Sequence, residues 1–204
     1  TLETLDKGPL EIERAGIEVK KYPLCYATHR TIDGVLDAMA AHRFTFGDVE
    51  RVEVRTNYRA TVPLIYHRPQ TGLEAKFSLE YAVTAALHDG AVRLASFEDA
   101  AVLRPSVQAF LPQVTFTEGE PPMFPRWAEL AIHLRNGHVL NSRIEKLRGS
   151  TEYPLSDAEL IEKGADCCAF GRSTVSAAAL AELCFAVDTL PVARLIQGLA
   201  SRPA

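Results

Sequence analysis

Val49-Glu50-Arg51-Val52-Glu53-Val54-Arg55 decides the fold class of this 204-residue chain. Successive side chains of a strand point to opposite faces, so this alternation places Val52 and Val54 on a core and Arg51, Glu53 and Arg55 in water. A strand that is half buried in this way favours an antiparallel sheet covered on one face. Working outward, Leu130–Leu134, then Asn136-Gly137, then His138–Leu147 reads as a hairpin. Asn-Gly supplies the two positive-φ residues of a type I′ turn. Val114–Thr117 reads as a short strand, and Ile17–Tyr22 alternates crudely before Pro23 ends it.

The helical period appears between these strands. Ile32, Val35, Leu36, Met39 and Ala40 form one apolar stripe, which predicts a helix from a cap at Thr28 or Thr31 to about Arg43. A second helix is predicted over about residues 73–88, stopped by Asp89-Gly90. Its buried stripe is Leu79, Ala82, Val83, Ala86 and Leu87, and its other face carries Ser78, Tyr81, Ala85 and His88. Residues 57–72 are irregular, with Pro63 and Pro69 as breakers, and residues 98–112 hold short helical turns around Pro105. The expected class is α+β, an antiparallel sheet with helices packed on one face, over residues 16–149. Residues 1–15 read as a linker or a severed connection.

After Gly149 the pattern turns helical. Ser156-Asp157-Ala158-Glu159 is a capping box that opens a helix to about Phe170. Ser173 is placed to cap a second helix through Val187, and Pro191 starts a third that ends near Gly198. These short helices carry apolar residues on more than one side and need a surface to bury against. They either wrap the preceding α+β body or belong to a helical domain outside this chain.

Composition limits the function classes. Hydrophobic residues make up 47% and charged residues 24%, and the formal net charge is -4, which gives no general electrostatic attraction to nucleic acid or an anionic membrane. No apolar run approaches the ~20 residues of a membrane span, and the first residues lack the apolar core of a signal peptide. Cys25, Cys167, Cys168 and Cys184 match no C-x2-C metal spacing and suggest no disulfide scaffold, so a reducing cytoplasm is expected. His133 and His138 likewise lack metal-type spacing, and no glycine-rich phosphate loop is present.

Chemistry concentrates in Lys20-Lys21-Tyr22-Pro23-Leu24-Cys25-Tyr26-Ala27-Thr28-His29, followed by Arg30-Thr31-Ile32-Asp33-Gly34. Two lysines, a thiol, phenols, an imidazole and a carboxylate suit proton transfer on an anionic substrate. His29 opens its predicted helix, where partial positive charge keeps a ring neutral, and Asp33 at i+4 is placed to orient it. A structural, capping histidine is the other reading. Cys25 can line a cleft, but no base partner is evident for a nucleophile. Ser78 and Tyr81 share one helical face as a pair of hydroxyls, and Arg68 suits bidentate carboxylate binding. Packing for Tyr81 and a surface position for Arg68 fit equally.

Four blocks carry a resemblance to a known family. They are Lys20-Lys21-Tyr22-Pro23 with Cys25, Thr28, His29 and Ile32-Asp33; Asp48–Val54; Arg68-Pro69 with Glu74–Val83 and Gly90; and Asn136-Gly137 leading to Arg148-Gly149 and Pro154–Asp157. In this order they resemble the C-terminal portion of the MmgE/PrpD family, which includes 2-methylcitrate dehydratase, cis-aconitate decarboxylase and iminodisuccinate epimerase. The pattern departs at Lys163-Gly164, where an aromatic residue commonly follows the lysine.

The resemblance implies a lid-like domain at 16–149, and a helical segment at 150–204 that packs on an N-terminal helical domain absent from this chain. It implies a cytoplasmic lyase, cofactor-independent and without metal, forming a homo-oligomer such as a dimer, with neither nucleic acid nor membrane as partner. The substrate is a small carboxylate, and dehydration of a di- or tricarboxylate such as 2-methylcitrate is the expected reaction. Epimerisation or decarboxylation is the alternative within the family, and a non-catalytic lid or binding module the alternative outside it. Lys20 matches a lysine of the family's cleft and is the first candidate catalytic residue, with His29 second. Ser78, Tyr81, Arg68 and Cys25 are the candidate substrate contacts, and Lys21 is expected on the solvated face. The chain alone is expected to be inactive.

Overall fold

A computed structural model describes residues 8–173 and 175–200, with side chains described as far as Gly198. A short helix, α1 (Glu11–Ala15), lies within the expected linker, whose first seven residues fall outside the described ones. After an extended segment and a 3-10 turn at Tyr26–Thr28 comes α2 (His29–His42), which ends on left-handed Arg43. Then follow β1 (Val49–Thr56), α3 (Gly72–Ala75) and α4 (Leu79–Asp89). Next are α5 (Asp99–Val102), α6 (Pro105–Phe110), β2 (Val114–Glu118), β3 (Ala128–Leu134) and β4 (Val139–Ile144). The tail holds α7 (Asp157–Phe170), α8 (Ala177–Phe185) and α9 (Val192–Ala200).

The α+β class holds, with one correction to the sheet. Its order is β2-β1-β3-β4. β1 with β3 and β3 with β4 are antiparallel, but β1 and β2 run parallel. The chain between those two strands is a crossover through α3 to α6, and only a long connection can return a strand in parallel. β1 keeps the alternation read from its sequence: Val52, Val54 and Thr56 are buried while Glu53 and Arg55 are exposed. A register shift between Val49 and Arg51 lets Val49 turn inward as well.

α2 packs over β3 and β4, and α4 packs beside it against α2, α6 and β2. Every residue from Leu79 to Leu87 is buried, so α4 is an internal helix with no solvent face. Each fully buried Leu or Val there contributes about 1.5–3 kcal/mol. The single helix expected over 73–88 is two. Thr71 accepts from Glu74 N at 3.3 Å to cap α3, and Ser78 accepts from Tyr81 N at 3.1 Å to cap α4. Likewise Ser176, rather than Ser173, caps α8, accepting from Ala179 N at 3.1 Å.

The other face of the sheet is open and charged. Glu129 pairs with Arg143 at 2.5 Å and with Arg55 at 3.5 Å, and Trp127 lies between those two guanidiniums. α7 starts with the predicted capping box, Ser156 N donating to Glu159 Oε2 at 3.0 Å and Glu159 N to Ser156 Oγ at 3.3 Å. Its polar edge meets the α+β body: Lys21 pairs with Glu159 at 2.6 Å, Arg93 with Glu162 at 3.0 Å, and Leu94 N donates to Asp166 Oδ2 at 2.9 Å. No residue of α7 or α8 is buried.

Candidate active site

The segment carrying Lys20 is not a strand. Its backbone is pinned once, by Val19 N donating to the Gly149 carbonyl at 2.7 Å. Gly149 has φ 86°, and a Cβ there would collide with the Val19 carbonyl oxygen, so only glycine fits. Tyr22 and Leu24 are buried beyond this pin, and Cys25 N donates to the Lys76 carbonyl at 3.0 Å, leading the chain into the turn before α2. Without a strand, the assignment of Lys20 and Lys21 to opposite faces inverts. Lys20 is exposed, with Nζ donating only to the Leu24 carbonyl at 3.4 Å. Lys21, expected in solvent, is the half-buried lysine paired with Glu159.

His29 opens α2 with no exposed surface. Tyr22 and Tyr26 meet its ring edge-on, with centroids at 5.2 and 4.9 Å. Neither ring nitrogen pairs with a side chain; the acceptors the ring meets are the Leu24 and Tyr22 carbonyls. Burial pushes the His29 pKa down to about 4; the Leu24 carbonyl pulls the other way, and the charges of Lys20 and then Lys163 push it down again, with a smaller upward pull from the Tyr22 carbonyl. The ring is therefore neutral at physiological pH.

Asp33 does not orient His29. Its carboxylate accepts from Tyr22 OH at 2.8 Å, and from Arg148 Nη1 and Arg148 N at 3.3 Å each. Arg148 also holds Asp37, at 2.7 Å. The contact of Asp33 with the imidazole is indirect: it fixes the Tyr22 ring that packs against His29.

The remaining candidates are dispersed. Ser78 and Tyr81 are wholly buried, and both hydroxyls are used inside the fold. Ser78 donates to Glu80 Oε2 at 3.3 Å, and Tyr81 donates to the Ser96 carbonyl. Arg68 lies exposed in the long β1–α3 connection and pairs with no carboxylate among the described residues. Cys25 is half-buried with a free thiol. His67 Nδ1 meets the buried Glu80 carboxylate at 2.7 Å, a pairing no periodicity signals.

Lys163 is the addition that sequence reading missed. It lies on the body-facing edge of α7 with Glu159, Glu162 and Asp166, a set whose phase the Ser156 capping box already fixes. It lines a cavity of about 250 Å³ whose wall includes Lys21, Tyr22 and Arg93. Among the described residues its ammonium has no carboxylate partner, and neither has that of Lys20. Two cations without a carboxylate partner thus act on one neutral imidazole that no side chain bonds. That set can hold carboxylates and exchange a proton. No group of three or more His, Cys, Asp or Glu side chains among the described residues is placed to hold a metal ion.

Residues 22–186, which include all of α2 to α8, match the MmgE/PrpD C-terminal domain. The chain belongs to the MmgE/PrpD family. It is similar to the cis-aconitate decarboxylase of Mus musculus, 29% identical over 175 residues, which cover 79% of this chain and 35% of that protein. It is also similar to the cis-aconitate decarboxylase of Homo sapiens, 27% identical over 164 residues, covering 74% and 33%. The chain spans about a third of the length of these curated relatives. Both relatives are named as decarboxylases, and the MmgE/PrpD match takes in the Tyr22–His29 packing, Asp33 and Lys163, with Lys20 just ahead of it.

Proposed function

We propose that this chain is the lid-like C-terminal part of a cytoplasmic lyase acting on a small di- or tricarboxylate. The observation that carries the reading is His29, buried and without a side-chain hydrogen-bond partner, under the charges of Lys20 and Lys163, which have no carboxylate partner among the described residues. Lys20 holds a substrate carboxylate. His29 moves the proton at the adjacent carbon, after closure against a second domain brings it to the substrate. An anionic substrate beside the ring offsets the two lysine charges and raises the imidazole pKa toward neutrality, where proton exchange is most effective.

Between lyase outcomes, the names of the two relatives favour decarboxylation: the C–C bond breaks, carbon dioxide leaves, and the electron pair left on carbon takes a proton. Dehydration is the second reading and starts with removal of the same class of proton. The bare surfaces of α7 and α8 support a helical partner domain that completes the cleft, and the 204-residue chain alone is inactive on this account. A panel of di- and tricarboxylates is incubated in deuterated water with the natural-length protein and followed by NMR. Loss of carbon dioxide, loss of water, and exchange alone separate decarboxylase, dehydratase and epimerase. A protein that releases neither carbon dioxide nor water from any member of the panel and exchanges none of its carbon-bound protons overturns the reading.

A further inference from the structure

Arg30, one residue beyond His29, and Arg126, in the connection between β2 and β3, line the same small cavity at the end of the sheet, with Thr56, Asn57 and Trp127. Both are only partly exposed. Like charges do not share a desolvated wall unless something neutral or negative is meant to lie between them. Among the described residues no carboxylate reaches ion-pair distance of either guanidinium. Asp33 is taken by Tyr22 and Arg148, and Glu145 by Arg143 at 2.9 Å. Glu18 is exposed; its carboxylate faces the Tyr26 hydroxyl and contributes only a field at Arg30.

The hydrogen-bond ledger is one-sided as well. Arg126 Nε is buried without an acceptor, while its guanidinium is held over the Phe124 ring at 5.0 Å. Arg30 Nε donates to the Glu145 carbonyl at 3.2 Å, which fixes the side chain and leaves its terminal nitrogens without a partner. Beside Arg30, burial and then hydrogen bonding toward the Glu18 carboxylate raise the Tyr26 pKa to about 12, so that hydroxyl stays protonated and is turned to Glu18. Unpaired buried donors destabilise a fold, and donors from separate elements turned to one place need an acceptor.

We propose that Arg30 and Arg126 form a binding site for one oxyanion, a carboxylate or a phosphate group. The cavity of about 10 Å³ holds little more than one water, so the oxyanion sits at its mouth with the rest of its molecule outside. The two guanidiniums supply charge-assisted donors that are already oriented. The site is separate from Lys20 and Lys163 and does not depend on the lyase reading, except that a substrate carboxylate is one of its two ligand sources.

The test is a titration of the ¹⁵N-labelled 204-residue chain with inorganic phosphate and, separately, with tricarballylate, following the arginine Nε–H signals. Saturable shifts of Arg30 and Arg126 are expected, with each of Arg30→Gln and Arg126→Gln weakening binding at least about tenfold. Tighter tricarballylate binding assigns the site to a carboxylate ligand, and tighter phosphate binding assigns it to a phosphate group. Should Arg126→Gln disturb the amide spectrum of the sheet, Arg126→Lys and Arg30→Gln decide. Signals that stay still with both anions, or binding that survives both single substitutions unchanged, overturn the proposal. Because the readout is binding, it can fail while the lyase reading stands, and the reverse.

Discussion

The Tyr22 hydroxyl donates to Asp33 Oδ1 at 2.8 Å while the other edge of the phenol packs on His29. The bond joins a candidate catalytic ring to the Arg148 pairing beneath it. Tyr22→Phe keeps the ring contact but leaves one oxygen of a buried carboxylate underbonded. A loss of about 1.5–3 kcal/mol is expected in urea unfolding, with His29 ring signals in NMR broadened rather than moved in pKa.

His29 sets a pH dependence. The unfolded ring takes a proton near the ordinary 6.5 and the folded ring near about 4, so between those values the unfolded state holds more protons. Stability therefore falls as pH drops from 6.5 toward 4. His29→Leu flattens that slope in thermal melts. Lys20→Met and Lys163→Met each raise the NMR midpoint of His29, since each removes a like charge.

Glu159 sets a second, lower window. The Lys21 ammonium first, then the Ser156 amide, hold its carboxyl at about 2, against an ordinary value of 4.5. Its contribution is complete above 4.5 and is lost as pH falls through about 2. Lys21→Met is expected to remove about 1 kcal/mol and to speed amide exchange in α7 while leaving β1 and β3 protected.

Gly149→Ala tests the pin that places Lys20. The positive φ and the crowding by the Val19 carbonyl both oppose a methyl group. Destabilisation of about 1–3 kcal/mol is expected, together with chemical-shift changes at Val19 and Lys20.

Periodicity is local, and what it reaches was legible. The alternation at Val52 and Val54, the β3–β4 hairpin and the Ser156 box stand where the residues place them. The hairpin turn, however, is not type I′: Gly137 has positive φ, Asn136 does not, and Gly137 N closes the turn on the Leu134 carbonyl. Non-local pairing was not legible. Nothing around Val114 states that β2 joins β1 in parallel, and the apolar stripe of the second helix starts only at Leu79, so it could not reveal the break that Ser78 caps. At the site, Lys20 and His29 are marked by residue type, but their surroundings are not. Lys21 finds its partner in Glu159, far along the chain, and Asp33 turns to Arg148 rather than to the nearer His29. Neutrality of His29 was expected from the helix start, yet burial is its leading cause.

The central claim is that Lys20 and His29 are this chain's share of a proton-moving carboxylate site. The most direct measurement is the rate at which the natural-length protein transfers solvent deuterium to carbon, in substrate or product, compared with its Lys20→Ala variant. The account predicts transfer reduced at least about a hundredfold by loss of the ammonium, with an unchanged amide spectrum and His29 midpoint raised. Transfer at near wild-type rates in Lys20→Ala would contradict it.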